Sequence, residues 1–97
     1  MHHDDIRITG SSGSVFLDLG FPPEEAAILA MRAALLARLR LLIEERGWTQ
    51  TEAAERLRIG QSRVSDLVRG KWDKFSLDML IILATRAGLK VELKLAA

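Results

Sequence analysis

Between Thr49 and Gly70 the chain reads as two short helices joined by a turn too tight to let them separate. No other stretch restricts the fold so strongly. Thr49-Gln50-Thr51-Glu52 is a capping box: the Thr49 hydroxyl accepts from the amide of Glu52, whose carboxylate reaches back. A helix is therefore expected from Gln50 to about Leu57. Arg58-Ile59-Gly60 is a tight turn, and a second helix runs from Gln61 to Val68 and stops at Gly70. Small Ala54 lets the two helices cross closely, and Leu57, Ile59, Val64 and Leu67 fill the wedge between them. The polar residues of the second helix are left facing outward. A non-glycine residue in a left-handed conformation costs about 1 kcal/mol. Either Arg58 or Gly60 can take that role, and the choice moves the turn by up to two residues.

The flanks supply the remaining helices. Pro22-Pro23-Glu24-Glu25 is a helix start, since proline suits the first turn and acids there oppose the macrodipole. Ile28, Met31, Leu35, Leu39 and Leu42 follow in steps of three and four, one apolar stripe on a helix expected over about 23–46 and ended by Gly47. Whether it is one helix or two joined near Ala33-Ala34 is open. Arg32, Arg38, Arg40 and Glu44 lie off the stripe. Trp48, between two helices, is expected to plug the core. After the basic, aromatic loop Lys71-Trp72-Asp73-Lys74-Phe75, Ser76 caps another helix, apolar at Leu77, Leu80, Ile81, Ala84 and Ala87 and ended by Gly88.

The two ends depart from this helical period. Leu89, Val91, Leu93 and Leu95 alternate with Lys90, Glu92 and Lys94, the signature of a half-buried strand with no obvious mate inside the chain. Residues 1–14 carry Thr9-Gly10-Ser11-Ser12-Gly13-Ser14, a flexible composition. Val15 to Phe21 is short, apolar and bounded by glycine and proline: a docking segment, a strand awaiting a partner, or a stretch that folds back on the domain. The expected organisation is a flexible segment over 1–21, a helical domain over 22–88 and a strand over 89–97.

Composition narrows the chemistry. The chain has 97 residues and a net charge of only +1, but the charge is unevenly spread. Residues 1–30 hold five acids and one base, a net of −4, and the other 67 hold thirteen bases and eight acids, a net of +5. Over 56–74 six bases (Arg56, Arg58, Arg63, Arg69, Lys71, Lys74) face Asp66 and Asp73 alone, a local +4 that suits a focused phosphate contact. There is no cysteine, hence no disulfide, thiolate metal site or cysteine nucleophile. The only histidines, His2 and His3, lack a third ligand and lie in the terminal segment expected to be flexible, so the part expected to be ordered has no histidine to activate a serine. An enzyme is not expected, nor a cofactor, metal or small-molecule substrate. No apolar run approaches a membrane span, and the amino terminus lacks the basic-then-apolar layout of a secretory signal, so a cytoplasmic protein is expected.

Read in order, Gln50, Ala53-Ala54, Leu57, Ile59, Gln61-Ser62-Arg63, Val64-Ser65, Leu67 and Arg69-Gly70 resemble the phage-repressor-like (Xre, or lambda-repressor-like) helix-turn-helix family. The resemblance implies an all-α domain of four to five helices, here with a C-terminal β-strand, that binds double-stranded operator DNA. Its first short helix docks on the backbone and its second lies in the major groove. Thr49 and Gln50 are then expected to hold a phosphate. Gln61, Ser62, Arg63 and Asp66 are expected to face base edges, Ser65 counts among the DNA-binding residues beside them, and Arg69, Lys71 and Lys74 clamp phosphates. Gln50 and Gln61 are the only glutamines in a chain without asparagine, and both fall where contacts are expected. Such motifs often carry glycine where Arg58 sits and a Ser or Thr cap where Gly60 sits. Trp72, beside Lys71 and Lys74, packs on the domain or lies against the DNA backbone.

The wider layout resembles HigA-like antitoxins of type II toxin–antitoxin systems. It is carried by Ser12-Gly13-Ser14-Val15-Phe16-Leu17-Asp18-Leu19-Gly20-Phe21, the Glu24-Glu25 helix, Phe75-Ser76-Leu77-Asp78 and the Leu89–Leu95 strand. The resemblance implies a homodimer that represses its own operon and neutralises a RelE/HigB-like mRNA-cleaving toxin. Leu89, Val91, Leu93 and Leu95 are expected to pair with a second copy or a partner chain, and Val15, Phe16, Leu17, Leu19 and Phe21 to touch the toxin. A free-standing repressor or phage regulator, or an adaptor that has lost DNA binding, are the other readings of the same residues.

Overall fold

The structure, a computed structural model, describes the backbone of residues 5–9 and all of residues 14–95. Residues 1–4 and 10–13, with the His2–His3 pair and part of the stretch expected to be flexible, lie outside the described residues. The elements run β1 (Asp5–Thr9), α1 (Ser14–Asp18), α2 (Pro23–Arg46), α3 (Gln50–Leu57), α4 (Gln61–Val68), a 3-10 turn at Trp72–Lys74, α5 (Leu77–Arg86) and β2 (Lys90–Lys94). Five helices and a C-terminal strand match the fold class read from the sequence.

Helix α2 is the spine, continuous for 24 residues. Pro23 opens it, Glu24 and Glu25 sit in its first turn, and Gly47 closes it at φ 63° with its amide turned back to the last carbonyls. Its buried face is Ala26, Leu29, Leu35, Leu36, Leu39, Leu42 and Ile43. Ile28, placed on the buried stripe by sequence spacing, is 47% exposed. One residue's rotation moves a side chain about 100° round a helix, so Leu29 takes the inward position instead. Against Leu35, Leu36, Leu39, Leu42 and Ile43 of this face pack Ala53 and Leu57 of α3, Val64 and Leu67 of α4, Phe75, and Leu80, Leu83 and Ala84 of α5.

Two corrections fall at the chain ends. The C-terminal strand has a mate within the chain: β1 pairs with β2 in parallel, Asp5 opposite Lys90 through Thr9 opposite Lys94. Residues 5–9 are thus a strand where flexible chain was expected. Ile6, Ile8 and Thr9 are β-branched and suit an extended backbone. Parallel strands need a long crossover, which the whole helical domain provides. Val15 to Phe21 forms neither a strand nor a free arm. It is the short helix α1 followed by a turn that brings the Phe21 amide back to Phe16 O at 3.1 Å. Phe16 is half-buried, edge-to-face with Phe21 and with Trp72 at 6.1 Å each. Among the described residues no helix is long and apolar enough to cross a membrane.

Candidate nucleic-acid interface

Local chemistry sets the amino terminus of each of the helices α3 and α4. At α3 the capping box is complete: Thr49 N donates to Glu52 Oε1 and Glu52 N donates to Thr49 Oγ1, both at 3.1 Å. That leaves the Gln50 and Thr51 amides without helical acceptors. At α4 the cap is Gly60, which has no side chain to occupy the first amides. The turn between them rests on Arg58 at φ 57°, whereas Gly60 is extended at φ −70°. Arg58 therefore takes the left-handed role, and the alternative at Gly60 is excluded. In that conformation the amides of Arg58 and Ile59 both reach Ala54 O. Arg86 reinforces the site, its Nη1 donating to Leu57 O at 3.0 Å.

The backbone hydrogen bond from Thr49, followed by the Thr49 hydroxyl, holds the Glu52 carboxyl below the ordinary carboxylate value. A depressed folded-state value means the box supports folding above the ordinary carboxylate value and weakens as pH falls through the folded one. Thr49→Ala removes the hydroxyl, so the Glu52 carboxyl should titrate higher than in the wild type. A carbon-detected NMR titration of both chains measures this.

The residues expected to read bases do not all stand free. Gln61 and Ser62 are exposed at the start of α4, and Gln61 Nε2 donates to Thr51 Oγ1 at 3.3 Å, tying the two helix starts together. Ser65 and Asp66 are half-buried. Asp66 Oδ1 lies 3.6 Å from Lys71 Nζ, so a residue assigned to bases neutralises one assigned to phosphate. Arg69, Lys71 and Lys74 are exposed at and beyond the end of α4, as is Gln50 on α3. Arg63 points back into the protein: its guanidinium lies 4.4 Å from the Phe75 ring centroid, and Nη1 donates to Lys74 O at 3.1 Å. Releasing Lys71 by Asp66→Asn should raise affinity for random duplex and steepen the salt slope by up to about one unit. Fluorescence anisotropy over a salt series checks it.

A family model described as a helix-turn-helix domain matches residues 15–96. The chain belongs to this helix-turn-helix domain family. Membership supports a DNA-binding regulator as its class. Searches of curated proteins and of solved structures return no match.

Several contacts that shape this helix-turn-helix domain were not legible in the sequence. Arg32, read as lying off the apolar stripe, is half-buried and donates from Nε to Phe75 O at 2.8 Å and from Nη2 to Trp72 O at 3.0 Å. Its guanidinium also lies 5.3 Å from the Trp72 ring centroid. Trp72 accordingly packs on the domain, between Arg32 and Phe16. Trp48 packs against the core but is only half-buried, with Arg46 and Arg56 each 5.5 Å from its ring centroid. At Gly70, φ 74° excludes most other residues, and a Cβ there would sit 3.0 Å from Arg40 Nη1. Arg40 of α2 thereby joins the basic group around the end of α4. The contacts of Arg32, Trp72 and Arg40 have no local signature, because their partners lie tens of residues away in the chain.

Proposed function

We propose that this chain is a dimeric, sequence-specific operator-binding repressor and the antitoxin of a RelE/HigB-like mRNA-cleaving toxin. The observation that carries DNA binding is the exposure of Gln61 and Ser62 at the start of α4 beside the exposed basic run Arg69, Lys71 and Lys74. Glutamine matches adenine in the major groove, serine accepts either base edge, and the cations supply the phosphate term. Thr49 and Gln50 hold a further phosphate at the start of α3. Ser65 and Asp66 flank the base-reading surface.

Dimerisation uses the edge of β2 that β1 leaves open. Leu89 and Val91 face the core, but Leu93 and Leu95 continue that alternation into solvent, 64% and 77% exposed. An open edge with apolar residues is a template for another strand. A twofold mate supplies a second α4, as helix-turn-helix dimers do when they read the two half-sites of a palindromic operator about 34 Å, one turn of DNA, apart. Toxin contact uses Val15, Leu17, Leu19 and Phe21, exposed apolar residues in the acidic third of the chain, while Phe16 anchors that segment to Trp72. Acidic surface suits a basic RNA-binding toxin.

Selection of duplexes from a random pool, followed by mobility shift on the winning sequence and co-expression with a neighbouring toxin, tests the reading. A selected palindrome bound as a dimer and rescue of growth are expected. Failure to prefer any duplex over random DNA refutes operator binding. Selective binding without rescue leaves a free-standing repressor.

A further inference from the structure

Resting on the DNA-binding reading, we propose that Arg63 is a positioning residue that aims the Lys71–Phe75 loop at the phosphate backbone rather than a reader of bases. Three of the loop's carbonyls are held by arginines from two different helices. Arg32 of α2 takes Trp72 O and Phe75 O, at 3.0 and 2.8 Å. Arg63 of α4 takes Lys74 O at 3.1 Å and covers the face of the buried Phe75 ring at 4.4 Å. The loop itself is a single 3-10 turn, Trp72–Lys74, whose own backbone bonds join Lys74 N to Lys71 O and Phe75 N to Trp72 O. So short a turn has little stiffness of its own. The guanidinium fork supplies it, since its donors are planar and fixed in direction.

The two arginines divide the work. Arg32 ties the loop to the spine, and Arg63 ties it to the helix that enters the groove. Lys71, just before the clamped turn, and Lys74, its last residue, then keep a set distance from Gln61 and Ser62. An Arg63 swung out to a guanine would have to leave both Phe75 and Lys74 O, loosening the phosphate contacts as it made the base contact.

The experiment is a double-mutant cycle on the full chain, with affinities measured on the selected duplex and on random duplex across a salt series. The variants are Arg63→Ala, Arg63→Lys, Lys74→Ala and Arg63→Ala with Lys74→Ala, each checked for folding by circular dichroism. Removing one phosphate contact at 0.15 M salt is worth about fivefold in affinity. Arg63→Ala is expected to weaken both duplexes by a similar factor, about fivefold or more, and to leave the order of preferred bases unchanged. Lys74→Ala should cost less in the Arg63→Ala background than in the wild type, the non-additivity of residues acting as one unit. Arg63→Lys keeps the charge but not the flat fork, so it should fall between alanine and the wild type and provides the reading if Arg63→Ala fails to fold. A changed base preference at one operator position overturns the proposal in favour of direct readout. Additive losses with unchanged preference also overturn it, because Arg63 is then a phosphate contact in its own right. A wild-type chain that selects no duplex defeats the DNA-binding reading and this inference together, whereas selective binding with additive losses defeats this inference alone.

Discussion

Leu67→Ala should cost about 3 kcal/mol of folding stability, enough to lower the melting temperature by roughly 12–24 °C in a domain of this size. Leu67 lies on the inner face of α4 and has no solvent exposure. It packs in the cluster shared by α2, α3 and α5, so its loss leaves a cavity that no single flexible segment can collapse to fill. A small domain holds only about 5–15 kcal/mol in all, so the variant should be partly unfolded at physiological temperature. Leu41→Ala is the control: that side chain is 49% exposed on α2 and belongs to no proposed interface, so its loss should change stability by less than about 0.5 kcal/mol. Thermal melts of the two variants beside the wild type make the comparison. Equal shifts would mean that the core is not centred on the α3–α4 crossing.

Replacing Arg69, Lys71 and Lys74 together by alanine should lower affinity for operator and random DNA alike, on the order of 10²-fold at 0.15 M salt. Each cation that neutralises a phosphate contributes about 0.9 to the slope of log affinity against log salt, so the slope should flatten by up to about 2.7 units. The three residues are exposed and outside the buried core, so the melting temperature should hardly move. The Asp66–Lys71 pair at 3.6 Å tempers one of the three contributions, and the shortfall from 2.7 units reports how far DNA displaces Asp66. Gln61→Ala offers the contrast: about 10- to 100-fold of discrimination at one base position, with the salt slope intact. Affinity titrations at several salt concentrations separate the two behaviours. A triple variant with an unchanged slope would place the phosphate contacts elsewhere on the molecule.

What could be read from residues alone was local. The Thr49–Glu52 box, the turn before Gln61, the Ser76 cap and the stop at Gly47 each depend on a few neighbouring side chains, and each occurs at its expected place. Gly47 and Arg58 show the limit of such reading. Glycine at a helix end announces a left-handed residue, whereas arginine does not. Arg58 holds φ 57° because Ala54 O and Arg86, from the far side of the fold, hold the turn around it. The period-two pattern of Leu89–Leu95 likewise announced a strand and a need for a mate, but not which mate. The answer lay at the opposite end of the chain, in β1.

Charge and residue type determined by themselves where DNA is to be expected: the +4 stretch over 56–74 and the only two glutamines coincide with the Thr49–Gly70 pair of helices. Tertiary structure alone decided how those groups are shared out. Periodicity places Arg63 on an outward-facing helix, but only the fold brings Phe75 and Lys74 O beneath it, and only the fold sets Arg32 against the same loop. A guanidinium long enough to reach either a base or a carbonyl takes its role from what stands within hydrogen-bonding distance. The three-dimensional path of the chain sets that distance, not the spacing of residues along it.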